Sequence, residues 1–340
     1  MTAYAFIHAN VLDGTLNAAK TMTPQLDQVV LVNEGRIQAV LSPEDPQAAN
    51  LTNYEVIDLV GSWMAPGLIN AHAHLASSGK APKEGSKPPN YKLLFAILSK
   101  IGPVKSFILK QQQKLAADQL LSGVTTLRTV GGILDLDAKV RDCITAGTIP
   151  GPRLLVCNTA VSVPGGHFAG SLATEAASPE EAAAHVEQII QTNPDWIKLM
   201  ITGGVMDASE AGEPGVLRMP AEYVKAACDT AHAHGYKVCA HVESPEGVRV
   251  ALENGVDTIE HGAHPDGEIM ELFRTQDAAL ICTLSPAIPY ALFPLEKSHC
   301  LPEAKHNGNI VMNGIIDNAR ACLDAGIPVG LGTDAGCPFI

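Results

Sequence analysis

Two histidines, His72 and His74, close the stretch Ala65-Pro66-Gly67-Leu68-Ile69-Asn70-Ala71-His72-Ala73-His74. Side chains alternate faces along a strand, so this i, i+2 pair points one way and forms a two-nitrogen claw for a divalent metal. The same spacing recurs at His232 and His234. There the pattern is helical, positions i and i+2 do not face each other, and the pair reads as surface. Lys198 lies inside the apolar run Asp195-Trp196-Ile197-Lys198-Leu199-Met200-Ile201. A buried ammonium is costly, and desolvation drives lysine towards its neutral amine. That amine can add carbon dioxide and become a carbamate, whose two oxygens can bridge two cations. The plainer alternative is a lysine that snorkels or pairs with a carboxylate. His241, His261 and Asp334 close three further apolar runs, and their company favours the carbamate.

Such residues can meet only if the elements that carry them converge. From Trp63 onward, short apolar runs alternate with helical patterns. Strands are expected over 64–70, 125–130, 153–158, 196–201, 237–241, 258–261, 279–284 and 329–334, as buried parallel strands. Helices are punctuated between them. Ser178-Pro179-Glu180-Glu181 supplies an N-cap, a proline at the first position and early acids. The stretch 220–235 has helical apolar spacing and a final glycine, Ser244-Pro245-Glu246 opens a helix that stops at Asn254-Gly255, and 309–326 repeats the plan. Eight strand–helix units predict an α/β TIM barrel over residues 63–340, with the strand C-termini gathered at one mouth. An open doubly wound sheet also alternates strand and helix, but would spread the same residues along an edge. Residues 1–62 differ, with β-type runs at 3–7, 29–32, 36–40 and 55–59 and turns at Asn33-Glu34-Gly35-Arg36 and Asp13-Gly14. They predict a small β unit that must pack on something else.

At a barrel mouth, a first metal would take His72, His74, Lys198 and Asp334, and a second Lys198, His241 and His261. Mixed nitrogen and oxygen donors suit Zn(II) among the divalent ions. A hydroxide held between the ions would be the nucleophile, because two cations strongly lower the pKa of bound water, and one ion would polarise a substrate carbonyl. Asp334 is placed to take the proton and pass it to the leaving nitrogen. The remaining histidines, His8, His185, His232, His234, His264, His299 and His306, read as structural or solvated.

The motifs APGLINAHAHL, DWIKLMITGGV, CAHVESPEGV, DTIEHGAH and GLGTDAG, in that order, make the chain from about residue 55 onward resemble the amidohydrolase superfamily. The resemblance is to its branch of imidazolonepropionase-like proteins and metal-dependent Xaa-Pro dipeptidases (prolidases). It implies a TIM barrel with a small β-sandwich from the chain termini, a binuclear metal site with a carboxylated lysine, and hydrolysis of amide-like bonds. It maps the ligands onto the same six residues. It also suggests His167, in Pro164-Gly165-Gly166-His167-Phe168, near the scissile group, and Tyr290 against the substrate. Arg218 is a candidate for holding a substrate carboxylate. For each of these three an ordinary loop residue is the alternative. Members of the family continue past the position of Ile340, so the eighth strand is expected to lack its covering helix and the N-terminal unit its partner strands. A fragment of a longer chain, or a partner that replaces the missing part, is expected, and a protein ending at Ile340 is expected to be weakly stable.

The net charge of −13 speaks against nucleic acid and anionic membranes as partners, and aromatic content of 4% against a base-stacking platform. The eight cysteines are scattered without a Cys-x-x-Cys, which predicts reduced thiols and a cytoplasmic location. No apolar run is long enough to span a bilayer. A small-molecule substrate is therefore expected, and oligomeric state stays open, a homo-oligomer included. The leading expectation is a binuclear hydrolase of C–N bonds, a dipeptidase of Xaa-Pro type. A cyclic-amide hydrolase of imidazolonepropionase type is the alternative, against which Lys198 argues, and a non-catalytic metal-binding scaffold is the third.

Overall fold

A computed structural model describes residues 2–81, 101–205, 207 and 211–340. The chain divides into two compact units, Met1–Leu68 and Ile69–Ile340.

In the first unit, strands β1 (Tyr4–Val11), β2 (Gln25–Asn33), β3 (Arg36–Leu41), β4 (Glu55–Asp58) and β5 (Trp63–Met64) form one sheet in the order β3-β2-β1-β4, with β5 also on β1. Glu34 and Gly35 both have positive φ, the conformation a two-residue hairpin turn needs, and they join β2 to β3 antiparallel. Trp63 and Met64 pair with Asn10 and Val11, so this unit runs past residue 62, where the change of sequence pattern alone would end it. Its described residues form this single sheet; the second layer of a sandwich is not among them.

The second unit holds β6 (Leu68–Ala73), β7 (Val124–Thr129) and β8 (Arg153–Val156) in a three-stranded sheet. A seven-stranded sheet contains β9 (Ala160–Ser162), β10 (Ala173–Glu175), β11 (Trp196–Met200), β12 (Lys237–Val242), β13 (Thr258–His261), β14 (Ala279–Cys282) and β15 (Val329–Leu331), in the order β10-β9-β11-β12-β13-β14-β15. The pairings from β7–β8 through β14–β15 are parallel. Backbone bonds also link the margins of the two sheets: Thr333 N–H donates to His72 O at 3.1 Å and His74 N–H to Ala335 O at 2.7 Å, while Asp195 N–H donates to Val156 O at 2.7 Å.

Helices α1 (Gly102–Leu121), α2 (Leu136–Thr145), α3 (Pro179–Ile190), α4 (Ala221–Ala233), α5 (Pro245–Glu253), α6 (Gly267–Thr275), α7 (Ala287–Leu292), α8 (Leu295–Ser298) and α9 (Pro302–Asp324) fall between the strands. The expected starts at Ser178 and Ser244 are real: each hydroxyl accepts an amide of the first turn, from Glu181 and Gly247. Asp266 caps α6 in the same way. Buried Ile197, Leu199, Val238, Ala240, Ile259 and Leu280 meet apolar helix faces in one continuous core, as parallel strands covered by helices require.

Three sequence expectations shift. The strand expected at 64–70 is displaced to Leu68–Ala73, because Trp63 and Met64 belong to the other sheet. The last helix begins at Pro302 rather than 309. Two short strands, β9 and β10, frame the loop that carries His167 and have no counterpart in the pattern reading.

Asn70 clasps the β6 margin to the chain before Asp334. Its Nδ2 donates to Thr333 Oγ1 at 2.7 Å and its Oδ1 accepts the Thr333 amide at 3.0 Å. Replacing Asn70 by Ala removes both bonds, while the Thr333 amide keeps His72 O and its hydroxyl the Ala335 amide, and should cost about 1 kcal/mol of stability. Urea denaturation measures this; an unchanged midpoint would remove the clasp from the account of how Asp334 is placed.

Candidate metal centre

The ends of β6, β12 and β13 and the chain just beyond β15 bring His72, His74, His241, His261 and Asp334 together, all buried. Neighbouring ring centroids are 5.5 Å apart for His72–His74, 4.8 Å for His72–His261 and 4.6 Å for His241–His261. Lys198, on β11, is only 1% exposed and lies within electrostatic reach of His74, His241 and His261.

Asp334 Oδ1 lies 3.2 Å from His72 Nε2 and 3.1 Å from His74 Nε2. It is buried and makes no hydrogen bond of good geometry. Donor atoms sharing a cation at zinc-like distances stand about 3.0–3.4 Å apart. Asp334 Oδ1 stands at that spacing from both imidazole nitrogens and has no bond of its own, which fits a divalent metal. Among the described residues, His72, His261 and Asp334 form one candidate metal-holding group, and His241, Glu243 and His261 another.

The protonation pattern agrees. Burial, together with the charges of His167, His261 and Lys198, holds His241 well below the usual imidazole range. Burial and the charges of His72 and Lys198 do the same for His261. Both are therefore neutral donors. Burial works against a charged Asp334, but His72 and His74 outweigh it and keep the carboxyl well below the usual carboxylate range. Burial also opposes a charged His74, yet the Asp334 carboxylate beside it and the Gly131 carbonyl raise it.

Several supporting groups escaped the reading of the sequence. His72 Nδ1 donates to Glu260 Oε2 at 2.6 Å, and Arg128 Nη2 donates to Glu260 Oε1 at 2.7 Å. Thr258 adds a further donor to Oε1 at 2.7 Å. Burial raises the Glu260 carboxyl, but the Arg128 charge and the His72 hydrogen bond bring it far below its ordinary value. Arg128 in turn donates to Ala71 O at 2.7 Å and lies over the Trp196 ring. His74 Nδ1 donates to Gly131 O at 2.9 Å, and His261 Nδ1 bonds the Thr283 hydroxyl. Each bond fixes a ring so that Nε2 faces the centre, the usual support of a metal-binding histidine. The signal was weaker than for Lys198: Arg128 and Glu260 lie in short strands, VTTLRT and TIEH, that hold other polar residues.

The residues suggested for substrate contact differ among themselves. His167 stacks on His241, with ring centroids 4.2 Å apart and planes at 8°. Its Nδ1 pairs with Asp207, which also accepts the Gly204 amide at 2.9 Å. Tyr290 is buried on α7, and burial, with the charges of Cys337, Cys300, Glu243 and Asp334, pushes its phenol well up. Arg218 is exposed, and its charge acts on Asp207. Glu243 was not singled out from the sequence, yet its Oε2 is buried and unpartnered. Burial and the charges of Asp334 and Asp207 push that carboxyl up to about 8.

A family model described as the amidohydrolase family matches residues 63–338. A Mycobacterium tuberculosis protein described only as uncharacterized is 27% identical over 283 residues, 81% of this chain and 65% of its own length; the chain thus spans just under two thirds of this relative. An imidazolonepropionase of Chromobacterium violaceum is 25% identical over 324 residues, covering 90% of this chain and 70% of that protein. A solved structure from Bifidobacterium longum, assigned as a prolidase, superposes with a TM-score of 0.78 and 33% identity over 99% of this chain and 75% of that one.

Glu260→Gln removes the charge that orients His72 while keeping its shape. Metal affinity should fall about 10- to 100-fold, read by competition with a chromophoric chelator. Unchanged affinity would reduce Glu260 to a core ion pair.

Proposed function

Because this chain belongs to the amidohydrolase family, as the match over residues 63–338 establishes, we propose that it is a metal-dependent hydrolase of C–N bonds, acting on dipeptide substrates of the Xaa-Pro kind. The observation that carries this is the approach of His72 Nε2 and His74 Nε2 to one Asp334 oxygen, at 3.2 and 3.1 Å, beside His241, His261 and a buried Lys198. In this reading the second unit is a TIM barrel made of β6, β7, β8 and β11 to β15. The parallel order and the bonds at 73–74, 333–335 and 156–195 support closure. The domains are then an N-terminal β unit and a barrel, with the strand C-termini forming the active-site mouth.

His72, His74 and Asp334 would hold one divalent ion and His241 and His261 a second, with Lys198, carboxylated to a carbamate, between them. Zn(II) suits the mixed nitrogen and oxygen donors. Two such ions would supply a nucleophilic water at neutral pH and polarise the scissile carbonyl. The protein's own part is orientation and proton movement. Glu260, Gly131 O and Thr283 keep three imidazoles turned inward. Asp334, charged because His72 and His74 hold it so, accepts a proton from the attacking water and delivers it to the leaving nitrogen. His167, stacked on His241 and paired with Asp207, stands over the centre to position the scissile group. Arg218, in the loop after β11, is the candidate for the substrate carboxylate, and Tyr290 for a further contact.

The reading as a cyclic-amide hydrolase draws on the imidazolonepropionase likeness. Lys198, buried among the histidines, favours the dipeptide reading. No helix among the described residues is long and apolar enough to cross a membrane. That agrees with a soluble, cytoplasmic enzyme acting on a small molecule.

Lys198→Ala tests the bridging role. Wild type should carry about two metal equivalents, the variant fewer, and hydrolysis of Xaa-Pro dipeptides should be lost. Elemental analysis paired with a screen of dipeptides, N-acyl amino acids and cyclic amides reads both. Retained stoichiometry with full turnover would sink the carbamate bridge, and a metal-replete protein idle on every amide would sink the hydrolase reading.

A further inference from the structure

Glu243 is a half-buried acid, its Oε2 fully covered, that the scheme above leaves unused. It stands two residues beyond His241, so both side chains leave the same face of the strand while Val242 packs into the apolar core. β12 ends at Val242, so Glu243 sits one step, about 6.6 Å along the strand, above the metal-facing histidine, among the loops. Its amide donates to Thr202 Oγ1 at 3.1 Å, and a Cβ at Gly215 would collide with its backbone carbonyl. The backbone is therefore pinned. The Val205 amide bonds the carboxylate, whereas Oε2 is buried without a partner. That free oxygen opens towards Gly204 and His167: a Cβ built on Gly204 would lie 3.6 Å from Glu243 Oε2 and 3.2 Å from His167 Cε1. Glycine at 204 keeps this corner open.

Asp207 borders the same corner but is already matched by His167 and, at longer range, Arg218, so Glu243 Oε2 is the acceptor left over. A buried oxygen without a donor calls for one from outside the chain. His167 stacks on His241 and borders the same corner, so that donor belongs at the level of the substrate.

We propose that Glu243 is a specificity-determining residue whose free Oε2 receives the α-ammonium group of the substrate, so that the enzyme prefers dipeptides with an unblocked amino terminus. This rests on the dipeptidase reading above. It excludes N-acyl amino acids and cyclic amides as good substrates, since each lacks the cation and would leave Oε2 unpaired.

The test uses the full-length, metal-loaded protein and compares an Xaa-Pro dipeptide with its N-acetylated form, in wild type and in Glu243→Gln. Wild type should favour the free amine by about 10- to 100-fold in kcat/KM, the range for a hydrogen bond to a charged group. Glu243→Gln should erase that preference through KM, lowering kcat/KM for the free dipeptide more than for its acetylated form, and keep the wild-type metal content. Loss of metal in the variant would overturn the proposal by making Glu243 a ligand beside His241 and His261. Equal losses on both substrates with metal intact would overturn it in favour of a role in the chemical step. If the variant does not fold, product inhibition of wild type decides: the free amino acid should inhibit more strongly than its N-acetyl form, and equal inhibition overturns the proposal. Wild-type activity on acyl or cyclic amides but not on free dipeptides defeats this inference alone, whereas inactivity on every amide defeats the hydrolase reading beneath it.

Discussion

The Glu260 carboxylate, wholly buried between Arg128 and His72, is the contact on which the geometry of the centre rests. It joins β13, β7 and β6 through side chains. Its two oxygens are fully used, one by His72 and the other by Arg128 and Thr258. Buried ion pairs of this kind contribute little net stability, because desolvation consumes most of the attraction, but losing one partner strands the other at a cost of about 3–5 kcal/mol. Their value is directional. Glu260 decides which nitrogen of His72 carries the proton and so which nitrogen faces Asp334. Arg128 keeps Glu260 charged, bonds the carbonyl of Ala71 and rests on Trp196, and so ties that choice to three strands.

Close approach of the chain beyond β15 to β6 is the second constraint. A Cβ at Gly332 would come within 2.5 Å of His72 Cβ, and one at Gly336 within 2.5 Å of the His74 carbonyl oxygen. The motif Gly330-Leu331-Gly332-Thr333-Asp334-Ala335-Gly336 is therefore a packing requirement as much as a catalytic signature. Its glycines let Asp334 come beside both histidines while Thr333 is held by Asn70. Asp334 and His261 both have positive φ, at 55° and 70°. This conformation is rare outside glycine and asparagine and persists only where surrounding contacts enforce it.

That backbone turn explains what was and was not legible in the sequence. The alternation of parallel strands and helices, the helix starts at Ser178 and Ser244 and the convergence of His72, His74, His241, His261, Lys198 and Asp334 follow from hydrophobic period and from polar residues at strand ends. Strict alternation, however, sends Glu260 outward if His261 faces in. The left-handed turn at His261 lets both neighbours serve the centre, and no periodic rule announces it. The first barrel strand was displaced for a different reason: Trp63 and Met64 are as apolar as a core strand, yet they pair with β1. Pattern gives the type of an element but not the sheet that recruits it. Strands β9 and β10 are three residues each, too short for periodicity to register.

In the proposed reading, reaction and recognition occupy different kinds of backbone. The candidate metal donors sit on or directly beside strands, where parallel pairing and second contacts hold each ring. His167, Asp207 and Glu243 lie past the strand ends, held by single amides and by glycines that leave room. Strand-borne groups tolerate little displacement, since donors spaced near 3 Å for one cation lose their fit with small shifts. Loop-borne groups can change in charge and size without disturbing that fit. The stacked ring of His167 on His241 is where the two layers touch, so a change at Asp207, which holds His167 from behind, reaches the centre only through that one face. On that proposal, substrate choice can vary in the loops while the candidate centre below stays the same.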